Sequence, residues 1–215
     1  RPWRQRIAFV PDADLFTCIS SGQASVVTDE IDRFTEAGVL LKSGQELKAD
    51  LIVAATGFNM NVLGDIAFEV DGKAINFHDT LTYRGMMFTG LPNLVWVFGY
   101  FRASWTLRAD INSDFICRVL QESRQRGADI VEPVLTPAAE AAIVEDDIFD
   151  FSSGYIQRGK AIMPKNAVAY PWRLNQEYVA DRKRMKEDPV DDGLLDFRRH
   201  GANARGAGEQ LEAAE

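Results

Sequence analysis

The stretch Lys48-Ala49-Asp50-Leu51-Ile52-Val53-Ala54-Ala55-Thr56-Gly57-Phe58-Asn59 constrains this chain more than any other. An apolar run between Asp50 and a Thr-Gly pair reads as a strand buried on both faces, the pattern of central strands in parallel sheets. Ligands of open α/β sheets lie beyond the carboxyl ends of the strands, where a small-residue turn lets backbone approach them without an intervening Cβ. Thr56 and Gly57 thus occupy a candidate binding turn, although buried strands ending in glycine are common in α/β domains and most bind nothing there.

The flanking sequence supplies an α/β frame. Arg6 to Val10 is a short apolar segment, and Pro11-Asp12 opens a helix with Leu15, Phe16 and Ile19 on one face and Gly22 at its end. Ala24 to Thr28, Glu30 to Phe34 and Val39 to Lys42, separated by Ala37-Gly38 and Ser43-Gly44, predict a β-meander leading into the strand at Leu51. Asp71-Gly72 between two short alternating segments predicts a hairpin. Tyr83 to Phe88 and Leu94 to Phe98 are apolar runs, the second predicting another buried strand with a loop after Gly99. Ser104 is placed to cap a helix whose apolar positions Leu107, Ile111, Phe115 and Val119 recur at helical spacing as far as Gly127. A strand, a glycine-containing loop and a helix N-terminus in succession favour electron-rich ligand atoms, so the Gly99 to Thr106 loop is the second candidate contact. Ala138 to Val144 and Asn175 to Lys186 predict further helices.

Other function classes are disfavoured. A net charge of −8 argues against general nucleic-acid or anionic-membrane binding, leaving small molecules or proteins as partners. Cys18 and Cys117 lie far apart with no metal-ligand spacing and are expected as buried free thiols, so no metal site is assigned. The longest uncharged run, beginning at Gly85, is broken by Gly90, Pro92, Asn93 and Gly99, which is wrong for a transmembrane helix. His78 and His200 are isolated and expected at the surface. Consecutive Glu145-Asp146-Asp147 point in different directions on any regular element and read as a solvated face.

Taken in order, several motifs resemble the second half of the class B flavin monooxygenases, in particular their Baeyer-Villiger branch. They are Pro2-Trp3 with Gln5-Arg6, Asp12 to Phe16, the Asp50 to Asn59 run, Tyr83-Arg84-Gly85-Met86-Met87, Gly90 to Asn93, Gly99-Tyr100 and Ala103 to Asp110. Gly154-Tyr155 with Arg158 and Pro171-Trp172-Arg173-Leu174-Asn175-Gln176 complete the set. The resemblance implies an α/β fold of the two-dinucleotide-binding-domain, Rossmann-like flavoprotein type with a β-meander, lacking its N-terminal half. Residues 1–59 would end the NADPH-binding region and cross to the FAD domain. Residues 60–130 would be the C-terminal part of the FAD domain, 131–197 a helical and irregular extension, and 198–215 a disordered tail.

The same resemblance implies FAD and NADPH as cofactors, with Thr56, Gly57, Phe58, Ser104, Trp105 and Thr106 near them. It also implies Arg6 as the arginine that holds negative charge developing beside the flavin, a task suited to a permanent cation. The implied reaction inserts one atom of O2 into a ketone or oxidises a sulfur or nitrogen compound, in a cytoplasmic enzyme. The chain departs from the family in one decisive respect: it contains no Gly-x-Gly-x-x-Gly, the loop that seats a dinucleotide pyrophosphate on a helix N-terminus. The expectation is therefore a fragment that is inactive alone and whose partner is the N-terminal half of the same polypeptide. A non-catalytic α/β interaction module derived from a flavoprotein is the alternative, and the flavin reductase or N-hydroxylating branch a third reading that the Gly99 to Asp110 match disfavours.

Overall fold

Residues 10–101, 103–141, 143–147 and 153–201 are described by the structure, a computed structural model. They fall into two compact units, one within Ile7–Phe58 and the other within Asn59–Glu215.

In the first unit, Pro11 opens a single 3-10 turn that leads into α1 (Asp14–Ser20), and Gly22, at φ 77°, lets the chain leave the helix. Three antiparallel strands follow, β1 (Ile31–Phe34), β2 (Gly38–Leu41) and β3 (Glu46–Lys48), in the order β1-β2-β3. The meander is present but shifted by one strand, because its third member is Glu46–Lys48 and Ala24 to Thr28 forms no ladder. Gly38 sits so close to the β3 backbone that a Cβ there would collide with the Leu47 carbonyl, which explains a glycine at the start of β2.

The expected buried strand at Leu51 is corrected by the structure. Residues 51–59 carry no strand pairing and are exposed, Leu51 by 80%, Val53 by 78% and Phe58 by 85%. A central strand is buried by neighbours that satisfy its amides and cover both its faces, and no described residue pairs with this one. The apolar face of α1 is likewise open to solvent at Leu15, Phe16 and Ile19.

In the second unit, β4 (Glu69–Val70) and β5 (Lys73–Ala74) form the hairpin expected at Asp71-Gly72, both turn residues having positive φ as a type I′ turn requires. The Tyr83 to Phe88 run is a second hairpin, β6 (Thr82–Tyr83) with β7 (Met87–Phe88), turning at Arg84-Gly85. Leu94 to Phe98 is extended but unladdered, so it too departs from the expected strand; its Trp96 and Phe98 are nevertheless buried. Helix α2 (Trp105–Arg126) buries Ile111, Phe115 and Val119 as the helical spacing predicts, and Gly127 ends it in the left-handed conformation.

Sequence periodicity did not reveal the pair β8 (Ile130–Pro133) and β9 (Leu195–Arg198), which joins residues far apart in the chain. Arg198, the first residue of the expected tail, closes β9 opposite Ile130, while 202–215 lie outside the described residues. Between them come α3 (Pro137–Ala141), α4 (Gly154–Gly159) and α5 (Tyr178–Glu187). Helix α5 packs on α2, and Arg118 of α2 donates to the Met185 and Asp188 carbonyls at 2.6 and 2.7 Å, supplying a cation where the α5 dipole is negative.

Two apolar clusters fill this unit, one around Tyr83, Tyr100 and Phe115 and the other around Phe88, Trp96 and Phe98. The architecture is thus α/β with small antiparallel sheets. Both cysteines are free, but Cys18 is half-buried and Cys117 exposed, which corrects the expected burial. None of the helices among the described residues is long and apolar enough to cross a membrane.

Candidate functional site

The two candidate contacts lie in different units. Thr56, Gly57 and Phe58 end the first, all exposed; Gly57 has φ 95° and open space around its Cβ position, so its backbone is accessible to a ligand. Ser104, Trp105 and Thr106 stand together at the start of α2 in the second unit. Arg6 lies outside the described residues, as does Arg102 within the second loop.

At the start of α2 the chain is held by tight packing on one side and open on the other. Ser104 is the N-cap, but its hydroxyl pairs with the Thr106 hydroxyl at 2.7 Å and makes no side-chain cap bond, leaving first-turn amides of a 22-residue helix without that partner. No acidic side chain occupies the first turn. The Trp105 indole lies on Gly99, where any Cβ would collide with it, and packs tilted against Phe98 with ring centroids 5.1 Å apart, yet remains 48% exposed. An aromatic face, two hydroxyls and a positive helix end can hold a planar, electron-rich heterocycle or an anionic group. Trp96, in contrast, is a core residue, 4.9 Å from Phe98 and 5.6 Å from Phe88.

What fixes this loop is a buried ionic network that the sequence did not announce. Arg108, one turn into α2 and fully buried, bonds the Asp181 carboxylate of α5, the Asn175 carbonyl at 2.9 Å and the Arg84 carbonyl at 2.9 Å. Tyr100 donates its hydroxyl to the same Asp181 at 2.5 Å, and the Phe101 amide donates to Gln176 Oε1 at 2.8 Å. Behind it, Arg84 bonds Tyr83 at 2.9 Å, Asp192 at 3.1 Å and Tyr170, with its guanidinium 4.7 Å from the Phe115 ring. The motifs at Tyr83-Arg84-Gly85 and Leu174-Asn175-Gln176 therefore meet as a clasp around the base of the loop. The missed signal was the pairing of an arginine with an aspartate seventy-three residues away, which no local pattern encodes.

Burial raises the phenol pKa values of Tyr83, Tyr100 and Tyr170 well above the usual tyrosine range, outweighing the pull of the nearby arginines. In the unfolded chain these phenols ionise near pH 10, whereas the folded state keeps their protons. Above about pH 10 the folded state therefore binds more protons than the unfolded one, and stability falls as pH rises. Urea midpoints measured from about pH 8 to about pH 12 should be level at first and then decline, with a shallower decline in Tyr100→Phe. An equal decline in the variant would remove Tyr100 from the linkage.

The acidic run makes no comparable centre. Glu145, Asp146 and Asp147 line a cleft of about 240 Å³ with His78, and pair with Lys165 at 3.2 Å, Arg173 at 3.8 Å and Lys160 at 2.5 Å. His78 is half-buried, its Nδ1 3.2 Å from the Met163 carbonyl, and His200 is exposed. No group of potential metal ligands is found among the described residues.

Comparison with known proteins finds several similar sequences. MymA of Mycobacterium tuberculosis H37Rv is 43% identical over 197 residues, AlmA of Acinetobacter baylyi 43% over 197, and EthA of Mycolicibacterium smegmatis 43% over 201. These matches cover 91% to 94% of this chain. Each relative carries FAD-containing or FAD-binding monooxygenase in its name, and this chain spans only 39% to 40% of their lengths. No protein-family profile matches the chain, and no solved structure matches it.

Proposed function

We propose that the chain belongs to the flavin-dependent monooxygenases and is the portion of such an enzyme that closes around FAD bound mainly by an upstream half. The observation that carries this reading is similarity over nine-tenths of the chain to proteins named for FAD and for monooxygenation. The exposed apolar residues Leu51, Val53 and Phe58 support it, because neighbouring strands of a parallel, Rossmann-like sheet would cover them. Gly57 offers backbone to the cofactor, Trp105 a wall for its ring system, and Ser104 and Thr106 hydroxyls for its polar edge. Arg6 contributes the permanent positive charge.

With NADPH as reductant, FAD would supply the activation of O2, one oxygen atom entering a ketone or a sulfur or nitrogen compound and the other leaving as water. The chain's own part is to orient the substrate and exclude water. It contributes little of the cofactor binding energy, since it has no glycine-rich pyrophosphate loop.

The test is an absorbance spectrum of the purified chain after mixing with FAD and desalting, repeated with the polypeptide extended by its upstream coding sequence. The chain alone should emerge colourless, whereas the extended protein should retain a flavin band and oxidise NADPH when given a simple ketone. Flavin retained by the chain alone would overturn its inactivity. A colourless extended protein would overturn the enzymatic reading in favour of an interaction module.

A further inference from the structure

We propose that Gln176 is a positioning residue for the flavin-facing loop 99–106, an inference that rests on the FAD reading above. Its Oε1 accepts the Phe101 amide proton at 2.8 Å, across a sequence gap of seventy-five residues. This is a side-chain bond from the C-terminal segment to the loop backbone itself. Its immediate neighbours are anchored independently: the Asn175 carbonyl accepts from Arg108 at 2.9 Å, and the Asn175 side chain accepts from the Glu177 amide at 3.1 Å. Two residues on, Tyr178 meets the Tyr100 ring edge-on at 6.0 Å, and Asp181 takes the Tyr100 hydroxyl. The acceptor is thus held from both sides, and the loop is registered against it immediately after Tyr100.

The consequence reaches the cofactor wall through the backbone. Phe101 directly follows Gly99-Tyr100, and Gly99 is the floor on which the Trp105 indole rests. Moving the 101 amide moves that floor and hence the aromatic face presented to the flavin. Gln176 Nε2, by contrast, is buried with no partner among the described residues, so the amide group serves here as an acceptor only. A glutamate would retain the acceptor and forfeit no hydrogen bond from the lost NH2, whereas a methionine of similar length would remove the acceptor.

The experiment uses the extended, flavin-loaded protein with Gln176→Met and Gln176→Glu. Gln176→Met should speed hydrogen exchange in peptides covering 99–106, shift the flavin absorption band and lower kcat about tenfold with little change in KM for NADPH. Gln176→Glu should restore all three. Unchanged exchange in Gln176→Met overturns the proposal. Faster exchange with an unaltered flavin band and unaltered kcat overturns the positioning role while leaving the contact intact. A wild-type protein that takes up no flavin sinks the parent reading and the positioning role with it, and exchange at 99–106 still reports separately whether Gln176 holds the loop.

Discussion

Arg108→Leu is expected to cost about 3 to 5 kcal/mol, because it strips the partner from a carboxylate that stays buried. Asp181 is 1% exposed and Arg108 0%, so no water is available to take over the interaction. Burial already pushes the Asp181 carboxyl up, against the opposing pull of Arg108, the Tyr100 hydroxyl and Arg184, and loss of Arg108 removes the largest of these opposing interactions. The Arg84 and Asn175 carbonyls lose their donors as well. Thermal denaturation should show a midpoint lower by about 10 °C or more. The double variant Arg108→Leu with Asp181→Leu should recover much of the loss, since removing both charges removes the desolvation cost. A single variant that melts with the wild type would show that the pair contributes nothing.

Phe88→Ala should be of similar size, about 3 to 5 kcal/mol, for a different reason. Phe88 is fully buried and pairs with Thr82 at the end of the β6–β7 hairpin. Its ring stands 5.3 Å from Phe77 and 5.6 Å from Trp96, in a run of aromatic contacts that continues through Phe98 to Trp105. Truncation leaves a cavity walled by rigid rings that cannot collapse into it, which places the cost toward the upper part of that range. Trp96 lies two ring contacts from Trp105, so the intrinsic fluorescence should change with the packing. Phe88→Leu should cost less, because most of the volume is kept. Urea unfolding of both variants measures the difference, and equal midpoints would mean that the ring edges contribute no more than bulk.

The elements that sequence reading placed well are those whose cause is local. The α2 span follows from apolar spacing and Gly127, and the Asp71-Gly72 hairpin from two residues that tolerate positive φ. The Leu51 and Leu94 segments read as strands in the sequence because an apolar run encodes a preference for burial but not the neighbours that supply it. Trp96 and Phe98 are buried by side-chain packing without a ladder, and Leu51 to Phe58 has no cover among the described residues. The long-range pair β8–β9 was invisible for the complementary reason: each strand is short, and its partner is distant in the chain.

The sequence by itself determined the similarity to FAD-containing monooxygenases, because similarity accumulates over many individually weak motifs, and it marked the two small-residue loops as candidate contacts through their glycines and the helix start. Only the tertiary structure decided what holds the second loop. Arg84, Arg108, Tyr100, Gln176 and Asp181 carry no local pattern to mark their roles, since an arginine reads as a surface residue until its environment is known. Burial and pairing are properties of distant segments brought together, and they turn these residues from solvated side chains into the clasp beneath Trp105.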